Sequence, residues 1–229
     1  MDNRLKIGNF LFKYRGIIPV PFIILILLFG SKPFSLNLNY LFQIAIIISI
    51  LGEIIRFTVA GYAKGETSGR GNSIAADFIT DYGLYSIIRN PLYIGNFLIF
   101  LGFIIYSRNI LFIILGSIFF FIYYYYIVLA EENFLKIKFK EKFNEFTNKT
   151  GRFFPKQLKY TPPPHHFNFK AAVFREKDTI FIWIISFLLI DERLCNFCSP
   201  DKTKISVFFI SLILWIIINL YKRGEKNEI

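Results

Sequence analysis

The chain has 229 residues, 54% hydrophobic and 19% aromatic, and 27 Lys and Arg against 16 Asp and Glu give it a formal charge of +11. Nucleic-acid binders of that charge carry it on a polar surface, whereas here the apolar residues fall in long uninterrupted blocks. The arithmetic excludes a nucleic-acid partner and a separate soluble catalytic domain, and it places any chemistry in or against a membrane. Two cysteines and two histidines are too few for a disulfide scaffold or a structural zinc cluster.

A helix crossing a hydrocarbon core of about 30 Å needs about 20 apolar residues. Six blocks qualify or come close: residues 16–30, 36–60, 91–107, 110–130, 179–190 and 205–221. The first follows a basic N-terminus and contains Pro19 and Pro21; its exit, Phe29-Gly30-Ser31-Lys32-Pro33, has no small-residue cleavage site, so it reads as a retained anchor. The second carries Glu53 and Arg56 one turn apart, the spacing of a local ion pair. Charges inside a membrane usually face a cavity, so lining an acceptor route is the equal alternative. The third and fourth are joined only by Ser107, Arg108 and Asn109, which forces an antiparallel hairpin and brings residues 91 and 130 to one membrane face. The fourth holds Tyr123 to Tyr126, which cover every face of one turn, so at most two point into any pocket. The fifth has a dozen apolar residues before Asp191 and either crosses or re-enters. The expected fold is all-α, a polytopic membrane bundle of about five to six transmembrane helices.

If all six blocks cross, the basic residues sort by side. Arg4, Lys6, Lys13, Arg15, Lys64, Arg70, Arg89, eleven residues from Lys136 to Lys177, and Lys222, Arg223 and Lys226 share one face; Lys32, Arg108, Arg193, Lys202 and Lys204 take the other. The positive-inside rule then puts both termini and the two long loops in the cytoplasm. Residues 1–62 read as N-terminal membrane helices, 63–159 as a core, and 160–229 as a linker with a C-terminal helical pair, Pro162-Pro163-Pro164 being a stiff connector. Cys195 and Cys198 have metal-ligand spacing with His165 and His166 as possible completions, but the topology separates the two pairs, so no metal site is expected.

Polar chemistry gathers at the two ends of the hairpin. Pro91 suits the first turn of a helix, and Arg89 and Asn90 precede it where unpaired N–H groups favour an anion. Gly83 allows a bend before Tyr85, and Gly95 permits a close approach to the helix. Glu131 and Glu132 end the fourth block on the unfavourable side of its dipole, which asks for a nearby cation: Lys136, Arg89 or a bound ligand.

Gly83, Tyr85, Arg89, Pro91, Tyr93, Gly95, Glu131, Glu132, Leu135 and Pro155 together resemble the pattern of the isoprenylcysteine carboxyl methyltransferase-like family, itself similar to phospholipid N-methyltransferases. The resemblance covers residues 75–156. It implies a helical bundle whose cytoplasmic loops close over S-adenosylmethionine while a lipid-like acceptor enters from the bilayer, with no obligatory protein partner. It assigns the cofactor to Tyr85, to Asn90, Pro91, Leu92 and Tyr93, to Glu131 and Glu132, and by register to Asp77, Phe78, Ile79 and Thr80. Two positions depart from the family: Asn90 replaces a histidine, and Ile127 stands where carboxyl methyltransferases carry an acceptor-binding arginine.

A methyl sulfonium brings its own leaving group, so transfer requires in-line placement and little else. An anionic oxygen needs no general base, whereas an ammonium must first lose a proton, and neither motif holds a histidine, cysteine or lysine for that task. The expected acceptor is therefore a lipid phosphate or carboxylate, oriented by Arg89 with Arg152 second, since guanidinium grips such groups bidentately. The stretch with Thr67-Ser68-Gly69-Arg70 resembles a bacterial branch, which implies a lipid phosphate such as that of lipid A, and a bacterial inner membrane. Three alternatives stay open: an isoprenylcysteine carboxyl or phospholipid amine acceptor, a membrane reductase using NADPH, and a lipid-binding protein without turnover.

Overall fold

The computed structural model describes residues 2–29, 38–64, 73–194 and 201–227, and the regular structure among them is helical. The 29–33 exit, residues 67–70 and the pair Cys195 and Cys198 lie in whole or in part outside the described residues.

Helix α1 (Asn3–Lys13) starts on Asp2, whose carboxylate accepts the Arg4 N–H at 3.0 Å. It lies flat against α5 because residue 8 is glycine: a Cβ there would sit 2.3 Å from the Tyr126 carbonyl oxygen. Block 16–30 is not one crossing helix. Turns fill residues 14–19, and α2 (Val20–Phe29) has ten residues, about 15 Å, too short to span the core alone. Pro19 and Pro21 set that late start, since proline is tolerated in a first turn and not within a helix.

Helix α3 (Leu38–Tyr62) and α4 (Pro91–Tyr106) pack through small residues. A Cβ on Gly102 would lie 1.9 Å from Ser49 Oγ and 2.6 Å from the Ala45 carbonyl, and one on Gly52 would lie 2.6 Å from the Gly95 carbonyl. Such stripes let two membrane backbones approach closely. The predicted hairpin forms: Arg108 takes a positive φ of 57°, and Asn109 caps α5 (Ile110–Phe139) by accepting the Leu111 N–H at 3.0 Å. With 30 residues, about 45 Å, α5 outruns the hydrocarbon thickness and carries Glu131 and Glu132 beyond the apolar block. Lys140, with φ 46°, turns the chain into α6 (Glu141–Lys149), which buries Phe143 and Phe146.

The fifth block is part of one longer helix. Helix α7 (Phe169–Leu194) is continuous over 26 residues, about 39 Å. Its first ten residues look too polar for a membrane segment, yet Glu176 is fully buried and Lys177 nearly so. Helix α8 (Lys202–Asn227) returns antiparallel along α7, with Phe181 stacked on Trp215 at 5.2 Å and Phe174 against Tyr221 at 5.9 Å. Among the described residues three helical stretches are long and apolar enough to cross a membrane, Tyr40–Tyr62, Ile110–Phe139 and Lys202–Lys222, and α4 is a shorter apolar helix.

Candidate active site

The two hairpin ends are tied by one knot. Glu132 accepts Arg89 Nε at 2.9 Å and Arg152 Nη2 at 2.5 Å, and Arg89 also donates Nη1 to the Thr150 carbonyl at 2.5 Å. The Arg89 N–H reaches the Gly151 carbonyl at 2.8 Å, and Asn90 Nδ2 reaches the Arg152 carbonyl at 3.1 Å. Gly151 is required in this stitch, because a Cβ would fall 1.6 Å from the Phe154 carbonyl oxygen. The cation that paired carboxylates at the end of α5 asked for is thus supplied twice, by Arg89 and Arg152, and Lys136 has no part in it.

Beside the knot lies a cavity of about 680 Å³. One face of α4 lines it, through Asn90, Leu92, Tyr93, Asn96, Ile99, Phe100 and Phe103, so it runs about 20 Å along that helix. Its Asn90 end is polar, with Arg89, Glu131, Glu132 and Tyr85, and α6 lays Phe143 and Phe146 against it. Its far end is apolar, closed by Phe103, Phe120, Ile182 and Trp183. The turn after α1 contributes Arg15, Gly16 and Pro19, and α7 contributes Asp178 and Thr179. Tyr93 donates its hydroxyl to Glu131 Oε2 at 2.7 Å, fixing that carboxylate at the polar end.

A second polar chain crosses the cavity wall at mid-depth. Arg56 donates Nε and Nη2 to Glu176 Oε2 at 2.9 and 2.6 Å, Nη2 to Thr179 Oγ1 at 3.0 Å, and Nη1 to Asn96 Oδ1. Asn96 Nδ2 then donates to the Tyr124 hydroxyl at 2.8 Å. The local ion pair of Glu53 with Arg56 is therefore not made: the guanidinium turns to Glu176, and both Glu53 carboxylate oxygens are buried without a hydrogen bond among the described residues. Gly95 explains the close approach expected of it, since a Cβ there would meet Arg56 Cγ at 2.7 Å and the Gly52 carbonyl at 2.9 Å.

Of the expected site residues, Tyr85, Arg89, Asn90, Leu92, Tyr93, Glu131 and Glu132 share this cavity. Pro91 is fully buried behind its lip. Asp77, Phe78, Ile79 and Thr80 do not line it; Ile74, Ala75 and Ala76 do, held there by a hydrogen bond from Lys138 Nζ to the Ala76 carbonyl. Asp77 and Phe78 point to the exterior, and Thr80 faces a much smaller pocket with Tyr82 and Tyr85. At that pocket burial and the neighbouring Asp81 raise the Tyr82 phenol above its ordinary value. Arg152 stays off the cavity and reaches it only through Glu132. Ile127 is fully buried and also off the cavity. His165 sets Nε2 2.9 Å from the Tyr62 carbonyl and packs edge-on to Tyr82. Arg15, Asn96, Tyr124, Asp178 and Trp183 are not singled out by spacing; for the tyrosine run the sequence limits to two the side chains that point into any pocket, without saying which, and Tyr124 lines this one.

The family model described as phospholipid methyltransferase matches residues 38–142. No curated protein and no solved structure matches the chain. The matched stretch holds α3, residues 73–90, the α4–α5 hairpin, Arg89 to Gly95 and both glutamates, while α1, α2, α7 and α8 lie outside it. The matched stretch is similar to phospholipid methyltransferases, and it carries two helices long and apolar enough to cross a membrane, Tyr40–Tyr62 and Ile110–Phe139.

Proposed function

We propose that this protein transfers a methyl group from S-adenosylmethionine to an anionic oxygen on a membrane lipid, a lipid phosphate such as that of lipid A being the leading acceptor. One observation carries the reading: a single cavity joins a charged end, with Glu131 and Arg89, to an apolar end with Phe103 and Trp183. A polar cofactor and a lipid chain need those two environments side by side, and the volume falls within the range of small-molecule sites, about 300–1,000 Å³.

The residues at the polar end fit the cofactor. Tyr93 holds one Glu131 oxygen and leaves the other for an ammonium group. Asn90 heads α4 without a side-chain cap; Pro91 has no N–H and the Tyr93 and Ile94 N–H groups bond the Asn90 carbonyl, so the Leu92 N–H is the first-turn donor left for a carboxylate. The Tyr93 ring, 4.6 Å from that of Tyr124, offers an aromatic face that tolerates a cation. Bound S-adenosylmethionine would supply an electrophilic methyl group whose leaving group is a neutral thioether. Arg89 keeps its Nη2 amino group after Nε and Nη1 are taken by Glu132 and Thr150, and this is the donor that orients the acceptor oxygen. Arg152 holds Glu132 and so keeps Arg89 in register. Phe143 and Phe146 shield the polar end from water. The basic segments put this end and both termini in the cytoplasm of a bacterial inner membrane.

A phospholipid amine acceptor is the second reading, favoured by the description of the matched family. Purified protein given radiolabelled S-adenosylmethionine and lipid extract separates the two: label in a base-labile ester supports the oxygen acceptor, and label only in lipid amines, or only in prenylcysteine, refutes it. Titration with S-adenosylmethionine and with NADPH tests the enzyme class. Glu131→Gln should abolish binding of the first and leave lipid binding intact.

A further inference from the structure

We infer that the Tyr124 hydroxyl is a ligand-binding donor, aimed into the cavity at an oxygen of the lipid acceptor just below its headgroup. The inference rests on the proposed reading and names which part of the acceptor this chain recognises.

The direction of that proton follows from a chain of donors anchored on an acceptor outside the family-matched stretch, Glu176. Guanidinium has only donors, and Arg56 is held on Glu176 of α7 by two of them. The Asn96 atom facing Arg56 must therefore be its carbonyl oxygen. The Asn96 amide nitrogen then faces Tyr124, and the Tyr124 oxygen must accept at 2.8 Å. A phenol that accepts along one direction has its own proton left to donate, and among the described residues no acceptor takes it. Tyr124 is only 6% exposed and lines the cavity, so a ligand there can take the remaining proton.

Depth selects the ligand group. Asn96 is six residues along α4 from Asn90, about 9 Å below the polar end. Beyond it the lining turns apolar at Ile99 and Phe100. A lipid with its reacting phosphate at the polar end has its acyl ester carbonyls at this boundary, and these accept hydrogen bonds. A neighbouring Tyr123, whose hydroxyl is buried without a partner, does not line the cavity and does not share the role.

Two substitutions remove the donor differently. Tyr124→Phe deletes the hydroxyl. Asn96→Asp keeps it but presents only acceptors, so Arg56 stays paired while the Tyr124 proton turns back onto the new carboxylate. The full chain in detergent, carrying Trp215→Phe so that Trp183 alone reports, is titrated with phosphatidic acid brominated in its acyl chains, following quenching of Trp183. Y124F and N96D should each raise the half-saturating concentration about 3- to 10-fold, the loss of one hydrogen bond, and the double variant should lose no more than either alone. Affinity for S-adenosylmethionine should not move. Competition by an ether-linked phosphatidic acid tests the ester carbonyl: weaker competition than the diester supports it, and equal competition would overturn it. Unchanged lipid binding in Y124F and N96D, additive losses, or a loss confined to S-adenosylmethionine would overturn the inference. Failure of the Tyr124-intact protein to bind S-adenosylmethionine would instead refute the proposed function.

Discussion

Glu176→Gln probes the buried pair that ties α7 to the cavity wall. Glu176 is 0% exposed and accepts two Arg56 hydrogen bonds at 2.6 and 2.9 Å, while Arg56 is only 15% exposed. Glutamine keeps the shape and removes the charge, leaving a guanidinium in an apolar bundle without its counter-ion. Breaking one side of a buried pair costs about 3–5 kcal/mol. At about 2–4 °C per kcal/mol for a chain of this size, E176Q should melt about 6–20 °C below the wild type. Far-ultraviolet circular dichroism of detergent-purified protein during heating measures this. A double variant, Arg56→Met with Glu176→Leu, removes both charges and should melt well above E176Q, because an apolar pair has no desolvation cost to recover. An E176Q shift under about 2 °C, or a double variant less stable than the single, would refute the reasoning.

Gly95→Ala places a Cβ 2.7 Å from Arg56 Cγ and 2.9 Å from the Gly52 carbonyl; the overpacking should cost about 1–3 kcal/mol, read by the same melting assay. Gly102→Ala meets Ser49 Oγ at 1.9 Å and the Ala45 carbonyl at 2.6 Å, so it should destabilise at least as much. Glu132→Gln loosens Arg89 and Arg152 together, and since Arg152 is 35% exposed the loss is screened to about 1.4 kcal/mol. Tryptic cleavage after exposed Lys156 should accelerate about tenfold, and an unchanged rate would mean that the knot does not hold that segment.

The helical class was legible because blocks of apolar residues near membrane length admit little else. The hairpin was legible because three residues cannot join two helices otherwise than antiparallel. Block 16–30 misled because composition counts apolar residues without regard to Pro19 and Pro21, which delay α2 until Val20. Residues 179–190 form only part of their helix. Their flank reads as polar surface, and only the folded bundle shows that buried Glu176 and Lys177 are paired, with Arg56 and with the exposed Asp178, as α7 runs on.

The site shows the same division. Motif residues separated by a rigid hairpin, Arg89 to Tyr93 and Glu131 with Glu132, had to meet, and they do. Residues placed by register alone, Asp77 to Thr80, did not, because no regular element carries the phase of residues 74–80 and the Lys138 bond to Ala76 sets which of them face inward. Arg56 is the instructive case. Spacing offered Glu53, three residues away on the same helix, as its partner. A side chain at that distance must lie along its own helix to reach, whereas Gly95 opens a channel across α4 that leads the guanidinium to Glu176, 120 residues distant in sequence. Sequence spacing finds the charges that a helix allows to pair; the missing side chain on a facing helix decides which pair forms, and here that choice sets the polarity of Asn96 and with it the proton of Tyr124.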